Sequence, residues 1–152
     1  MNLEVVSPVA GEVVGLAAVP DQVFSDELVG AGTAVEPPAT EGRIEVVAPV
    51  AGALVKVHPH AFVVLGAEGV GVLVHLGIDT VGLKGEGFEL LRAEGDTVEQ
   101  GSPVVAFDPA AVRRRGLSAV CPVVVLDTAP GAVTGTVGAQ VRPGDPLFTY
   151  GS

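Results

Sequence analysis

Backbone breakers limit this chain more than any other feature. Its 152 residues include 21 glycines and 12 prolines, spaced so that few uninterrupted stretches exceed the length of a strand. Glycine and proline both disfavour helix interiors, so a bundle of long helices is excluded. Between the breakers valine dominates, and a β-branched side chain suits a pleated sheet. Residues 43–48, 62–65, 71–75, 88–92, 104–107, 123–126, 132–137 and 147–150 each read as a strand. Residues 62–65 and 71–75 flank the Gly-rich turn 66–69 and are expected to form a hairpin. Helix is confined to 109–115, entered after Asp108 as cap and ended by Gly116, and to a turn or single helical turn at 21–28.

The chain also repeats itself. Ser7-Pro8-Val9-Ala10-Gly11-Glu12-Val13-Val14 recurs as Ala48-Pro49-Val50-Ala51-Gly52-Ala53-Leu54-Val55. A second echo links residues 94–104 with 138–147, each a valine, a Gly turn and an apolar strand. The repeats are too few for a solenoid and point to hairpins packed with quasi-symmetry. The expected fold is therefore all-β and antiparallel, a sandwich with only short helical turns. With no linker composition anywhere, residues 1–152 are expected to form a single domain.

Charge narrows the function. The formal net charge of −10 opposes binding to nucleic acid or to an anionic membrane surface and suits a partner with a basic docking face. No apolar stretch reaches the roughly 20 residues that span a bilayer, and no signal peptide is visible, so a cytoplasmic protein without membrane insertion is expected. The single cysteine, Cys121, lies among valines and reads as a small buried hydrophobe. The run Arg113-Arg114-Arg115 reads as a solvated helix face, and the Gly85-Glu86-Gly87 turn as architectural.

The chemistry-bearing residues lie close together. All three histidines, His58, His60 and His75, fall between residues 58 and 75. The expected hairpin returns residue 74 beside residue 62, which brings His75 next to His60 with Gly77 and Asp79 just beyond. Imidazole is a nitrogen nucleophile near neutral pH, and its phosphoramidate is labile enough to pass a phosphoryl group on. The same histidines also fit a metal site, so nucleophile and zinc ligand both stand on pattern alone.

The stretch Val74-His-Leu-Gly-Ile-Asp-Thr-Val81, followed by Leu83-Lys-Gly-Glu-Gly-Phe88, resembles the signature of the glucose-family enzyme IIA domain of the bacterial phosphoenolpyruvate-dependent sugar phosphotransferase system. Ser7-Pro-Val-Ala-Gly-Glu12, Val19-Pro-Asp-Gln-Val-Phe24, Val29-Gly-Ala-Gly32, Val47-Ala-Pro-Val50 and His60-Ala-Phe62 extend the resemblance over nearly the whole chain. It implies a duplicated hybrid β-sandwich. It implies that His75 takes the phosphoryl group on Nε2 from the histidine-containing phosphocarrier protein and gives it to a cysteine of enzyme IIB. His60 would contact that group, and the Gly77 carbonyl would fix the His75 tautomer. Asp21 and Asp79 would flank the site. Val23, Phe24, Leu28, Val29 and Phe62 would form the apolar docking rim. Transfer would need no cofactor, while zinc could be held by His60 and His75 with a partner's carboxylate. The sugar would be glucose or N-acetylglucosamine.

One departure stands out. Many relatives carry a threonine where this chain has His58, followed here by Pro59. His58 is expected near the site, with an imidazole hydrogen bond in place of the one the threonine hydroxyl makes. Three other readings compete: docking that regulates transporters or enzymes, a zinc hydrolase, and a biotinyl or lipoyl carrier. The hydrolase lacks further ligands, and the carrier lacks a lysine in the required hairpin.

Overall fold

The computed structural model describes residues 2–151. Its strands are β1 (Asn2–Val6), β2 (Gly11–Gly15), β3 (Gly30–Glu36), β4 (Ile44–Val47), β5 (Gly52–His58), β6 (Ala61–Leu65), β7 (Gly71–His75), β8 (Phe88–Leu90), β9 (Thr97–Val98), β10 (Pro103–Phe107), β11 (Cys121–Leu126), β12 (Val133–Gly135), β13 (Gln140–Val141) and β14 (Pro146–Gly151). Two short helices, α1 (Gln22–Ser25) and α2 (Pro109–Arg114), complete the regular elements, with 3-10 turns at Leu16–Ala18, Ala67–Gly69 and Thr80–Leu83. An eight-stranded antiparallel sheet runs β13-β2-β3-β11-β7-β6-β5-β9, and two three-stranded sheets run β1-β14-β12 and β4-β10-β8.

Period-2 alternation assigns each residue of the large sheet to one of two cores. Phe62, Val64, Val72, Val74, Val123 and Val125 point into the main core, where they meet Phe88, Phe107, Leu147 and Phe148 from the small sheets. Ala34 and Val124 point the other way and pack under the 16–24 segment with Leu16, Val19, Phe24, Ile78 and Val120. Each fully buried valine contributes roughly 1.5–3 kcal/mol relative to exposure, which offsets the entropy of ordering so many short strands.

The repeats have a structural counterpart. Strands β4 to β10 form one unit, inserted between β3 and β11 of the other. The pairings β5–β6, β5–β9 and β4–β10 in one unit match β2–β3, β2–β13 and β1–β14 in the other. The units join through the β7–β11 ladder, centred on Leu73 opposite Val124. The repeated glycines explain themselves here. Gly11 has φ 153° and Gly52 φ 156°, and a Cβ would collide with the Glu36 carbonyl at the first and the Leu65 carbonyl at the second. Both units therefore need glycine where the strand crosses its neighbour's backbone.

Local signals behaved as their chemistry requires, with three differences. The Asp21 carboxylate accepts from the Val23 N–H at 2.9 Å to start α1, and Asp108 accepts from Ala111 N–H at 3.1 Å to start α2. The strand expected at 132–137 runs only over Val133–Gly135, and that expected at 88–92 stops at Leu90. The arginine run is not merely solvated: Arg113 donates to the Glu36 carboxylate at 2.7 Å and to the Pro37 and Pro38 carbonyls at 2.6 and 3.0 Å, tying α2 to the segment after β3. No helix among the described residues is long and apolar enough to cross a membrane.

Candidate active site

The β5–β6–β7 meander builds the site. Pro59 and His60 form the two-residue connection between His58 and Ala61, which face each other across the ladder. Ala61 in turn sits opposite His75, the last residue of β7. The next amide, Leu76 N–H, donates to the His60 carbonyl at 2.7 Å and holds the two histidine backbones together. As a result the His60 and His75 rings meet edge to face, with centroids 5.3 Å apart and planes at 70°. Phe24 closes the other side of His75 at 5.3 Å and 60°, while His58 stacks on His60 at 5.7 Å and 22°. The four rings form a continuous row, Phe24–His75–His60–His58.

The His75 tautomer follows from one contact. Nδ1 lies 2.6 Å from the Gly77 carbonyl oxygen. A carbonyl can only accept, so Nδ1 carries the hydrogen and Nε2 keeps its lone pair. Gly77 achieves this at φ 77°, where a Cβ would lie 2.7 Å from Thr80 Cγ2 and 2.9 Å from the Ser118 carbonyl. Ile78 N–H donates to that same Ser118 carbonyl at 3.0 Å, and the Thr80 hydroxyl donates to the Leu76 carbonyl at 2.8 Å. The segment carrying the acceptor is therefore pinned at both ends.

Electrostatics keep both imidazoles neutral. Burial pulls the His75 pKa below its ordinary 6.5, and the Gly77 hydrogen bond and the charges of Asp21 and Asp79 offset this only in part. Burial also lowers His60, and His75 and His58 beside it lower it further. At neutral pH Nε2 of His75 is thus an unprotonated nucleophile in a half-buried setting. Asp79 is exposed in a left-handed conformation and makes no capping hydrogen bond, so its carboxylate is free to act through its field on His75. Cys121 is fully buried, its thiol is pushed up to about 12, and it stands outside the chemistry as a hydrophobe.

The apolar rim needs correction. Val23 and Leu28 are exposed, at 44% and 69%, as a docking surface requires, and Val29 is half-buried. Phe62 is 1% exposed and belongs to the main core, on the face of β6 opposite Ala61 and His75. It stabilises the sheet beneath the site and offers nothing to a partner. Phe24, 7% exposed, is a wall of the site against His75 rather than an open rim residue. Sequence reasoning passed over Val81, which is 65% exposed two residues beyond Asp79. Its signal was its place, an apolar side chain six residues after His75 within the same motif. Among the described residues no group of three or more His, Cys, Asp or Glu side chains is placed to hold a metal ion, so zinc would find two imidazoles here and need its other ligands from elsewhere.

A sequence model of the family described as phosphoenolpyruvate-dependent sugar phosphotransferase system, EIIA 1, matches residues 3–130. The chain belongs to this EIIA family. Its relatives include the glucose-specific EIIA component of Haemophilus influenzae, 41% identical over 127 residues that cover 82% of this chain and 74% of the relative. The glucosamine-specific EIICBA component of Bacillus subtilis is 42% identical over 123 residues, which are 80% of this chain and 19% of that larger protein. The solved glucose permease IIA from Mycoplasma capricolum superposes with a TM-score of 0.86 at 32% identity, covering 98% of this chain and 96% of that one. As an EIIA protein the chain is a phosphotransferase component that carries a phosphoryl group on histidine. The antiparallel all-β architecture read from the sequence agrees with that fold.

Proposed function

We propose that His75 is the acceptor and that the chain, acting as one domain, relays phosphoryl groups from the histidine-containing phosphocarrier protein to a cysteine of enzyme IIB. The Nε2 lone pair attacks phosphorus in line, a P–Nε2 bond forms, and the P–N bond to the donor imidazole breaks. Nδ1 keeps its hydrogen, donated to the Gly77 carbonyl, so the phosphorylated ring carries a positive charge that Asp21 and Asp79 stabilise. In the second half-reaction the enzyme IIB sulfur attacks phosphorus, and the P–N electron pair returns to Nε2. His60 stands edge-on to His75, where its N–H can donate to the phosphoryl oxygens. Val23, Leu28, Val29 and Val81 receive both partners in turn and exclude water during transfer. The sugars served are glucose and its amino derivatives, in line with the names of the relatives.

The observation that carries this reading is the 2.6 Å contact from Nδ1 to the Gly77 carbonyl, which leaves Nε2 as the available nucleophile. The position of phosphorylation tests it. Nuclear magnetic resonance of the phosphorylated protein should show phosphorus coupled through Nε2 of His75, and phosphorus on Nδ1 would contradict the assignment.

A further inference from the structure

We propose that His58 is a positioning residue for His60: its ring, in an offset stack with the His60 imidazole, holds that imidazole edge-on to His75. This rests on the reading of His60 and His75 as the transfer pair.

The two histidines of the pair are fixed in different ways. His75 is held by its own hydrogen bond to the Gly77 carbonyl. Among the described residues the His60 ring makes no hydrogen bond, although its backbone carbonyl is tied to Leu76. Two rings pack against it, those of His75 and His58. A half-buried side chain in a two-residue connection keeps several rotamers open unless something selects one. Stacking supplies that selection, and an aromatic pair of this kind favours the oriented rotamer by about two- to twelve-fold.

The local chain is built to present His58 for this task. His58 ends β5 opposite Ala61, and proline at position 59 keeps the residue before it extended. Pro59 lies beside the turn at Gly85, close enough that a Cβ added there would stand 3.7 Å from the Pro59 ring. The 22° interplanar angle and 5.7 Å separation are those of an offset stack, so what His58 contributes is a flat ring rather than a ring nitrogen. His58 is itself exposed, which makes it replaceable without loss of the core.

The test compares wild type, His58→Ala and His58→Phe in the full chain. Phosphoryl transfer into and out of His75 is followed at saturating partner, alongside side-chain couplings of His60 in the unphosphorylated protein. His58→Ala should lower the saturated rate by about three-fold or more, leave KM for the partner within about two-fold, and average the His60 couplings over several rotamers. His58→Phe should restore both the rate and a single His60 rotamer. A His58→Ala rate equal to wild type, or a loss that phenylalanine does not rescue, would overturn the proposal. Should wild type fail to accept phosphoryl groups at all, the reading beneath falls, and the His60 couplings still decide this inference: a single rotamer retained in His58→Ala defeats it.

Discussion

Gly77 serves the site twice, through a carbonyl that sets the His75 tautomer and through a left-handed backbone that no side chain can occupy without moving Thr80 or Ser118. Gly77→Ala should therefore cost about 1–3 kcal/mol of stability from strain and crowding. It should also slow phosphorylation of His75 beyond what the lost folded fraction explains, as denaturant melts paired with transfer rates would reveal. The neighbouring imidazoles give a second expectation at this scale. Both His60 and His75 have pKa values held below 6.5, so the unfolded chain binds more protons than the folded one as pH falls through 6.5. Stability from these residues is then fully present above pH 6.5 and is lost as the pH falls toward their folded values. The transfer rate should hold its plateau somewhat below pH 6.5 for the same reason, because Nε2 stays unprotonated there. A plateau that ends above 6.5 would show that the imidazoles are not desolvated as described. These residues were readable because three histidines fall so close together. The role of Gly77 was readable only through the family resemblance, since composition says nothing of a carbonyl's direction.

At the scale of elements, β6 separates structure from contact by the parity of its residues. Ala61 shares a level with His75, while Phe62 turns into the core. Phe62→Ala should cost about 3–5 kcal/mol, read as a large fall in denaturation midpoint. Leu28, 69% exposed, should behave in the opposite way. Leu28→Glu should raise the KM for the phosphocarrier protein about ten-fold with stability changed by less than about 0.5 kcal/mol. Equal effects of the two substitutions on KM would refute this division of labour. The β6–β7 hairpin was legible because valine alternation and the glycine turn agree. The face of Phe62 was not: its place on the rim rested on the family resemblance, whereas the register that sets Ala61 opposite His75 turns Phe62 into the core. The partners of Arg113 were hidden for another reason: Glu36, Pro37 and Pro38 are brought to it only by the fold.

For the whole molecule, the duplication makes both halves of the large sheet alike while only one end of it carries histidines. In the β3–β11 ladder Gly30 stands opposite Leu126, where the related β6–β7 ladder has Ala61 opposite His75. The scaffold is symmetric and the chemistry is not. The chain combines a net charge of −10 with the exposed apolar side chains of Val23, Leu28 and Val81, a combination that speeds encounter with a basic partner without holding it. Association with the phosphocarrier protein should slow by about ten-fold or more from low salt to 0.5 M salt, in stopped-flow measurements. A rate indifferent to salt would place recognition in the apolar patch alone.

The central claim, that His75 accepts the group and His60 supports its passage, is tested most directly by intact mass. Phosphoryl groups are supplied from phosphoenolpyruvate through enzyme I and the phosphocarrier protein to wild type, His75→Ala and His60→Ala. Wild type should gain one phosphoryl group, His75→Ala none, and His60→Ala one that it then fails to pass on efficiently. A phosphorylated His75→Ala, or a wild type that gains nothing, would contradict the account.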